Sequence, residues 1–316
     1  MKIKAAKLIF PVLFIPLLLS ACGAGMGVEA TLAPTFTVPL ETQTPMATAL
    51  PMVAGEGTPQ STAEVVGPIS PSLPSDAAVV LVGEGDTLNL RSAAGVGNTL
   101  LAELPFNTTN LIRTGATAFS GEESWAEVRT STAETGWVNE RYLTEYMPPA
   151  KFCLDPQVQF LLDNFLVAIQ SENGELLSSL VSPVHGLDLR YFHYGTLANY
   201  SPEEATWVFD STYEVLWGNA AGSGEEVSGT FSEVPLPRLL EVFGSSYELH
   251  CNDVGITSAF AQEPWPSEYR NINFYQVLKP GTEQYGGLDW RAWLVGIEYV
   301  QGKPYLFAMT SFEWTP

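Results

Sequence analysis

Three histidines, the cysteines at 153 and 251 and a scatter of carboxylates are the residues of this chain that could do chemistry. Cys153 with His185 or His250 would supply a thiol nucleophile and a base. His185 and His193, with Asp188 between them, are candidate metal ligands. They lack the four-residue spacing of a helical zinc site, so a loop or core role is the reading taken and no metal is assigned. Gly222-Ser223-Gly224 is a loop, without the flanking residues of a Gly-x-Ser-x-Gly elbow. Gly83-x-Gly85 lacks the third glycine and the following helix of a dinucleotide loop. Glu225 and Glu226 are adjacent, so on a strand they face opposite ways and cannot act on one bond, whereas a glycosidase needs two opposed carboxylates. No catalytic residue and no cofactor is assigned.

The third cysteine, Cys22, closes the run Leu19-Ser20-Ala21-Cys22. Lys2, Lys4 and Lys7 precede an apolar stretch from Leu8 to Leu19, too short for the roughly 20 residues of a spanning helix. Positive, then apolar, then small is the order of a secretion signal. The four residues resemble the lipobox of bacterial lipoproteins. The resemblance implies cleavage after residue 21, lipidation of Cys22, and a membrane-anchored chain on the extracytoplasmic face. An ordinary cleaved signal or an uncleaved anchor is the alternative. A stable anchor takes two acyl chains or more, which lipoproteins of this kind carry.

Residues 22–75 read as a disordered Thr/Pro-rich linker. Eight prolines from Pro34 to Pro74 interrupt it, and no apolar periodicity survives between them. Such a spacer reaches on the order of 150 Å extended and roughly 40 Å as a coil. The chain carries 14 basic and 35 acidic residues, and removal of the three leader lysines leaves a formal charge of −24. With no basic stripe, a nucleic-acid partner is excluded. Acidity also disfavours anionic lipid headgroups, which leaves membrane attachment to the acyl anchor.

Residues 76–146 alternate in short apolar runs broken by turn residues, as in Val79-Val80-Leu81-Val82, Gly83-Glu84-Gly85-Asp86 and Leu88-Asn89-Leu90-Arg91. Short strands without a helix predict a small all-β barrel. Leu88-Asn89-Leu90-Arg91-Ser92, Trp125-Ala126-Glu127-Val128 and Gly136-Trp137-Val138 followed by Tyr142-Leu143 resemble, in order and spacing, the bacterial SH3 domain. Ser92-Ala93-Ala94-Gly95 departs from the usual Ser-Gly-Pro-Gly and loses a rigid turn. The resemblance implies binding of cell-wall peptide or another peptide, with Trp125, Trp137 and Tyr142 as groove aromatics and Glu127 as an acidic contact. The alternative is that both tryptophans are core residues.

Residues 147–316 predict an α+β domain, helices packed on a curved antiparallel sheet. Asp155-Pro156 and Ser201-Pro202-Glu203-Glu204 are helix starts, and Pro235 to Phe243 is a further helix. Trp290 to Val300 and Pro304 to Trp314 form a long aromatic hairpin. The pattern loosely resembles a nuclear-transport-factor-like cone. Its aromatic stripe is either the buried inner face or the lining of a pocket, with Glu298 or Tyr299 as polar handle. Cys153 and Cys251 are expected to pair in an oxidising medium, or else to be separate buried thiols. Thiol peptidases of the NlpC kind occur joined to bacterial SH3 domains. Their Asp-Cys-Ser-Gly setting is replaced here by Phe152-Cys153-Leu154-Asp155. The expected whole is a non-enzymatic, lipid-anchored binding protein. A cell-wall hydrolase and a structural interaction lipoprotein are the competing classes.

Overall fold

The structure, a computed structural model, describes residues 75–258, 261 and 263–315. The leader, Cys22 and all of the linker but Ser75 lie outside the described residues. Residues 75–146 form β1 (Ser75–Val79), β2 (Thr87–Arg91), β3 (Leu100–Pro105), β4 (Leu111–Ser120), β5 (Glu123–Arg129), β6 (Thr135–Asn139) and β7 (Leu143–Glu145). Every pairing among them is antiparallel. Side-chain alternation sends Leu88 and Leu90 of β2, Ala126 and Val128 of β5, and Val138 of β6 into one buried cluster with Val79, Leu111 and Leu143. Asn139 ends β6 by accepting from the Arg141 N–H at 3.0 Å, which starts a single tight turn before β7.

The chain then runs through α1 (Pro149–Phe152), α2 (Pro156–Gln170), α3 (Gly174–Leu180), β8 (Leu187–Arg190), β9 (Leu197–Tyr200), α4 (Pro202–Trp207) and β10 (Val215–Asn219). It continues as β11 (Glu226–Gly229), α5 (Pro235–Phe243), β12 (Glu248–Cys251), β13 (Asn273–Lys279), β14 (Arg291–Val300) and β15 (Lys303–Glu313). The helices start where local chemistry dictates. Asp155 accepts from the Gln157 N–H at 2.9 Å with Pro156 behind it, and Ser201 and Glu204 make a reciprocal capping box. The apolar face of α2, including Val158, Leu161, Leu162 and Phe165, packs with α5 residues onto Trp293, Val295, Ile297 and Tyr299 of β14.

Strands dominate, helices are few, and 13 strands join one mixed sheet, with β10 and β11 in a separate pair. β14 is its hub. β15 covers one edge of it, β13 covers the other from Arg291 to Ile297, and β7 takes over there at Tyr299, opposite Glu145. With helices on one face and a second apolar cluster (Phe274, Trp290, Ala292, Leu294, Phe312) on the other, β14 is buried along all but its ends. Gly296 permits this. A Cβ there would lie 2.5 Å from the Trp265 ring.

One expectation changes. The sheet is not wholly antiparallel, because β8 runs parallel to β15, with Asp188 opposite Ala308. The outer edge of β15 would otherwise bury unpaired backbone groups, and the chain leaving α3 supplies the partner. The sheet itself is continuous across residues 146/147, through the pairing of Glu145 in β7 with Tyr299 in β14. Val80 shares a buried cluster with Tyr269, Ile272 and Phe307. The Asn271 amide donates to the carbonyls of Val79, Phe106 and Thr108 at 2.8, 3.2 and 3.2 Å.

Cys153, just after α1, is bonded to Cys251 at the end of β12, with Cα atoms 5.8 Å apart and a sequence separation of 98. A closed loop of that size restricts the unfolded chain strongly. Replacing both cysteines by alanine is expected to lower unfolding free energy by about 2–5 kcal/mol. Urea titration of the oxidised protein against the double variant measures it.

Candidate functional site

The β5–β6 pairing sets Trp125 opposite Asn139 and Glu127 opposite Trp137. Because Ala126, Val128 and Val138 face the buried cluster, Glu123, Trp125, Glu127, Trp137 and Asn139 share the other face. Both tryptophans therefore lie outside that core, although Trp125 is only 2% exposed. A groove of about 410 Å³ runs along this face. Trp125, Asn139, Tyr142 and Glu123 form one part of it, and Leu81, Val82, the segment from Asp86 to Asn89, Arg91 and Val96 the rest.

Of the four residues expected to bind ligand, the structure brings Trp125 and Tyr142 to the groove. Trp137 and Glu127 share the face but do not line it. Glu127 is held by the Thr114 hydroxyl, which donates to it at 2.6 Å. The Trp125 indole N–H is buried and has no hydrogen-bond partner among the described residues. A buried indole N–H ordinarily finds an acceptor. The other polar groups are partly committed: Arg91 donates to the Asn98 carbonyl at 2.9 Å, and Asp86 accepts from the Thr87 N–H at 2.7 Å. The arrangement can hold an extended ligand against an apolar wall and a partly acidic rim, with one unpartnered buried donor beside it.

Sequence reasoning missed a second cluster. Glu298 of β14 is buried, with its side chain 1% exposed, and faces His185, 3% exposed. Nδ1 of His185 lies 2.8 and 2.9 Å from the two carboxylate oxygens, and Nε2 lies 2.8 Å from the Arg141 carbonyl. A carbonyl only accepts, so Nε2 carries a proton. The Ser182 hydroxyl donates to Glu298 at 2.5 Å and accepts from the N–H groups of Val184 and His185. Serine, carboxylate and imidazole are all present, but the hydroxyl meets the carboxylate and not the imidazole. An activated nucleophile needs the opposite order. The cluster instead ties the loop before β8 and strand β14 to the turn before β7.

Beside it, Glu140 pairs with Arg113 at 2.5 Å and accepts from the Ser124 hydroxyl at 2.7 Å. Burial alone would raise the Glu140 carboxyl. The Ser124 hydrogen bond and the Arg113 guanidinium outweigh it and hold the group below the usual carboxylate range.

The remaining candidates disperse. Cys153 Sγ is bonded to Cys251 and offers no free thiol. The His193 ring lies flat on Phe312, 5.2 Å between centroids, and burial lowers its pKa. Asp188 accepts from Tyr269 and Asn199 at 2.5 and 2.8 Å and meets neither histidine. Among the described residues no group of His, Cys, Asp or Glu has a metal-binding arrangement. No helix of the described residues is long and apolar enough to cross a membrane. Trp293, Tyr299, Phe307 and Phe312 of the aromatic hairpin are buried in packed clusters. No protein-family model, curated protein or solved structure matches the chain.

Two outcomes follow for the charged cluster. Replacing His185 by leucine leaves the Glu298 carboxylate buried without its imidazole and is expected to cost about 3–5 kcal/mol. Adding Glu298→Gln should recover part of the loss, as urea unfolding of the single and double variants would show. Because the Glu140 pKa is depressed in the folded state, its contribution is fully present above the unfolded value of about 4.3 and is lost as pH falls through the lower folded value. The urea midpoint of the unaltered protein should therefore fall more steeply below about pH 4.3 than that of Glu140→Gln.

Proposed function

We propose that this chain is a lipid-anchored extracytoplasmic lipoprotein that binds and does not catalyse. In this reading Cys22 carries the lipid, and residues 22–75 are the tether. Residues 76–146 are a bacterial SH3-like barrel, and residues 147–316 an α+β region with helices on a curved sheet. The ligand is a cell-wall peptide or another extended peptide, held along the groove of Trp125 and Tyr142.

One observation carries the reading. The Trp125 indole N–H is buried beside a groove and lacks an acceptor among the described residues. An unmet buried donor costs free energy, and a peptide carbonyl entering the groove relieves that cost. The motif residues support it from the sequence side. Leu88 and Leu90 pack the core, while Asn89, Arg91, Trp125 and Tyr142 line the groove.

The test is co-sedimentation with purified cell wall and titration with wall-derived peptide. Trp125→Phe keeps an aromatic ring but removes the donor. It is expected to weaken binding about fivefold, the worth of one ordinary hydrogen bond, with the unfolding midpoint little changed. Release of soluble wall fragments would favour a hydrolase instead. A tight complex with another exported protein, and none with wall or peptide, would favour a structural role.

A further inference from the structure

The groove beside Trp125 carries an unbalanced charge. Asp86 and Glu123 bring two carboxylates to its lining, and Arg91 brings the one cation. Among the described residues no lysine, arginine or histidine pairs with either carboxylate. Asp86 accepts from the Thr87 N–H at 2.7 Å, a neutral donor that leaves its charge in place. Arg91 does not supply the missing cation. It forms no ion pair among the described residues, and its guanidinium donates to the Asn98 carbonyl at 2.9 Å. Elsewhere carboxylates do take up cations, as Glu140 does with Arg113 and Glu241 with Lys279.

Two aromatic residues, Trp125 and Tyr142, share this lining. A ring face attracts a cation and a carboxylate bonds it, so the combination suits an ammonium group. Trp125 makes a second and opposite demand. Its indole N–H is buried beside the groove with no acceptor among the described residues. An occupant that meets both demands brings an acceptor and a cation together. An acidic peptide offers only the acceptor and is repelled by the carboxylates. A simple amine offers only the cation. A peptide residue with an ammonium on its side chain offers both.

Resting on the peptide-binding reading above, we propose that the ligand is a cationic peptide. Asp86 and Glu123 hold a side-chain ammonium and set the preference for that residue over a neutral or acidic one. Both carboxylates are exposed, so the preference is moderate and salt screens it.

The test is calorimetric titration of the full chain with three end-blocked peptides. They are acetyl-Ala-Ala-Lys-Ala-Ala-amide and its counterparts with norleucine or glutamate at the centre. The lysine peptide is expected to bind about tenfold tighter than the norleucine peptide, the worth of two exposed ion pairs together. The glutamate peptide should bind more weakly still, and high salt should close the gap. Asp86→Asn with Glu123→Gln should erase the gap, leaving norleucine-peptide affinity and the unfolding midpoint in urea unchanged. Glu172→Gln with Glu175→Gln removes as much charge outside the groove and should leave the gap intact. Equal affinity for all three peptides, with Trp125→Phe still weakening each, would overturn the charge preference and leave the peptide-binding reading standing. A gap that survives the loss of Asp86 and Glu123, or that shrinks as much without Glu172 and Glu175, would overturn the assignment to the groove. Binding of none of the three peptides overturns the inference as well. Co-sedimentation with wall, run alongside, then tells whether the underlying reading falls with it.

Discussion

A carboxylate inside a buried strand needs compensation, and for Glu298 it is assembled from three separate stretches of chain. Its oxygens meet the imidazole of His185 and the hydroxyl of Ser182, and the far nitrogen of the same imidazole donates to the carbonyl of Arg141. The ring spans from strand β14 to the turn before β7 with a directed bond at each end. Removing any member strands a polar group that water does not reach. The position of the first seven strands relative to the remaining sheet is thus fixed by polar chemistry as well as by packing. That arrangement is less tolerant of substitution than an apolar seam of equal area.

Around this pair the sheet closes a junction that the eye would otherwise divide. β14 gives up one edge to β13 and then to β7, so a single strand belongs to both halves. Asn271 reinforces it by spending its amide on three carbonyls of the first half. The Trp125 groove therefore sits on a rigid support. Its aromatic floor is placed by the β5–β6 register, and that register is locked by the core residues alternating with it.

Legibility in the sequence followed the range of the forces involved. Helix starts were readable because their chemistry is local: Asp155 reaches two residues on, and Ser201 and Glu204 reach each other. The aromatic hairpin was readable because β14 and β15 are long and joined by the tight Gln301-Gly302 turn. β8 and β9 were not, since four residues each give too little alternation to stand out, and the pairing of β8 with β15 depends on a strand more than 100 positions away. The face taken by the two tryptophans turned on register. Alternation around Ala126, Val128 and Val138 would have given it, but size and hydrophobicity pull the eye toward the rings. The His185–Glu298 contact, 113 positions apart, left one trace: a glutamate in the run from Ala292 to Val300, which holds no other charge.

The first strand has a mechanical meaning. A load applied at Ser75 along the axis of β1 would act on a strand bonded on one side to β4 and on the other to β7. Bonds between antiparallel strands lie across the strand direction, so such a load is shared by two ladders at once instead of parting them one by one. Strand order alone makes this end of the molecule a strong point for a leash.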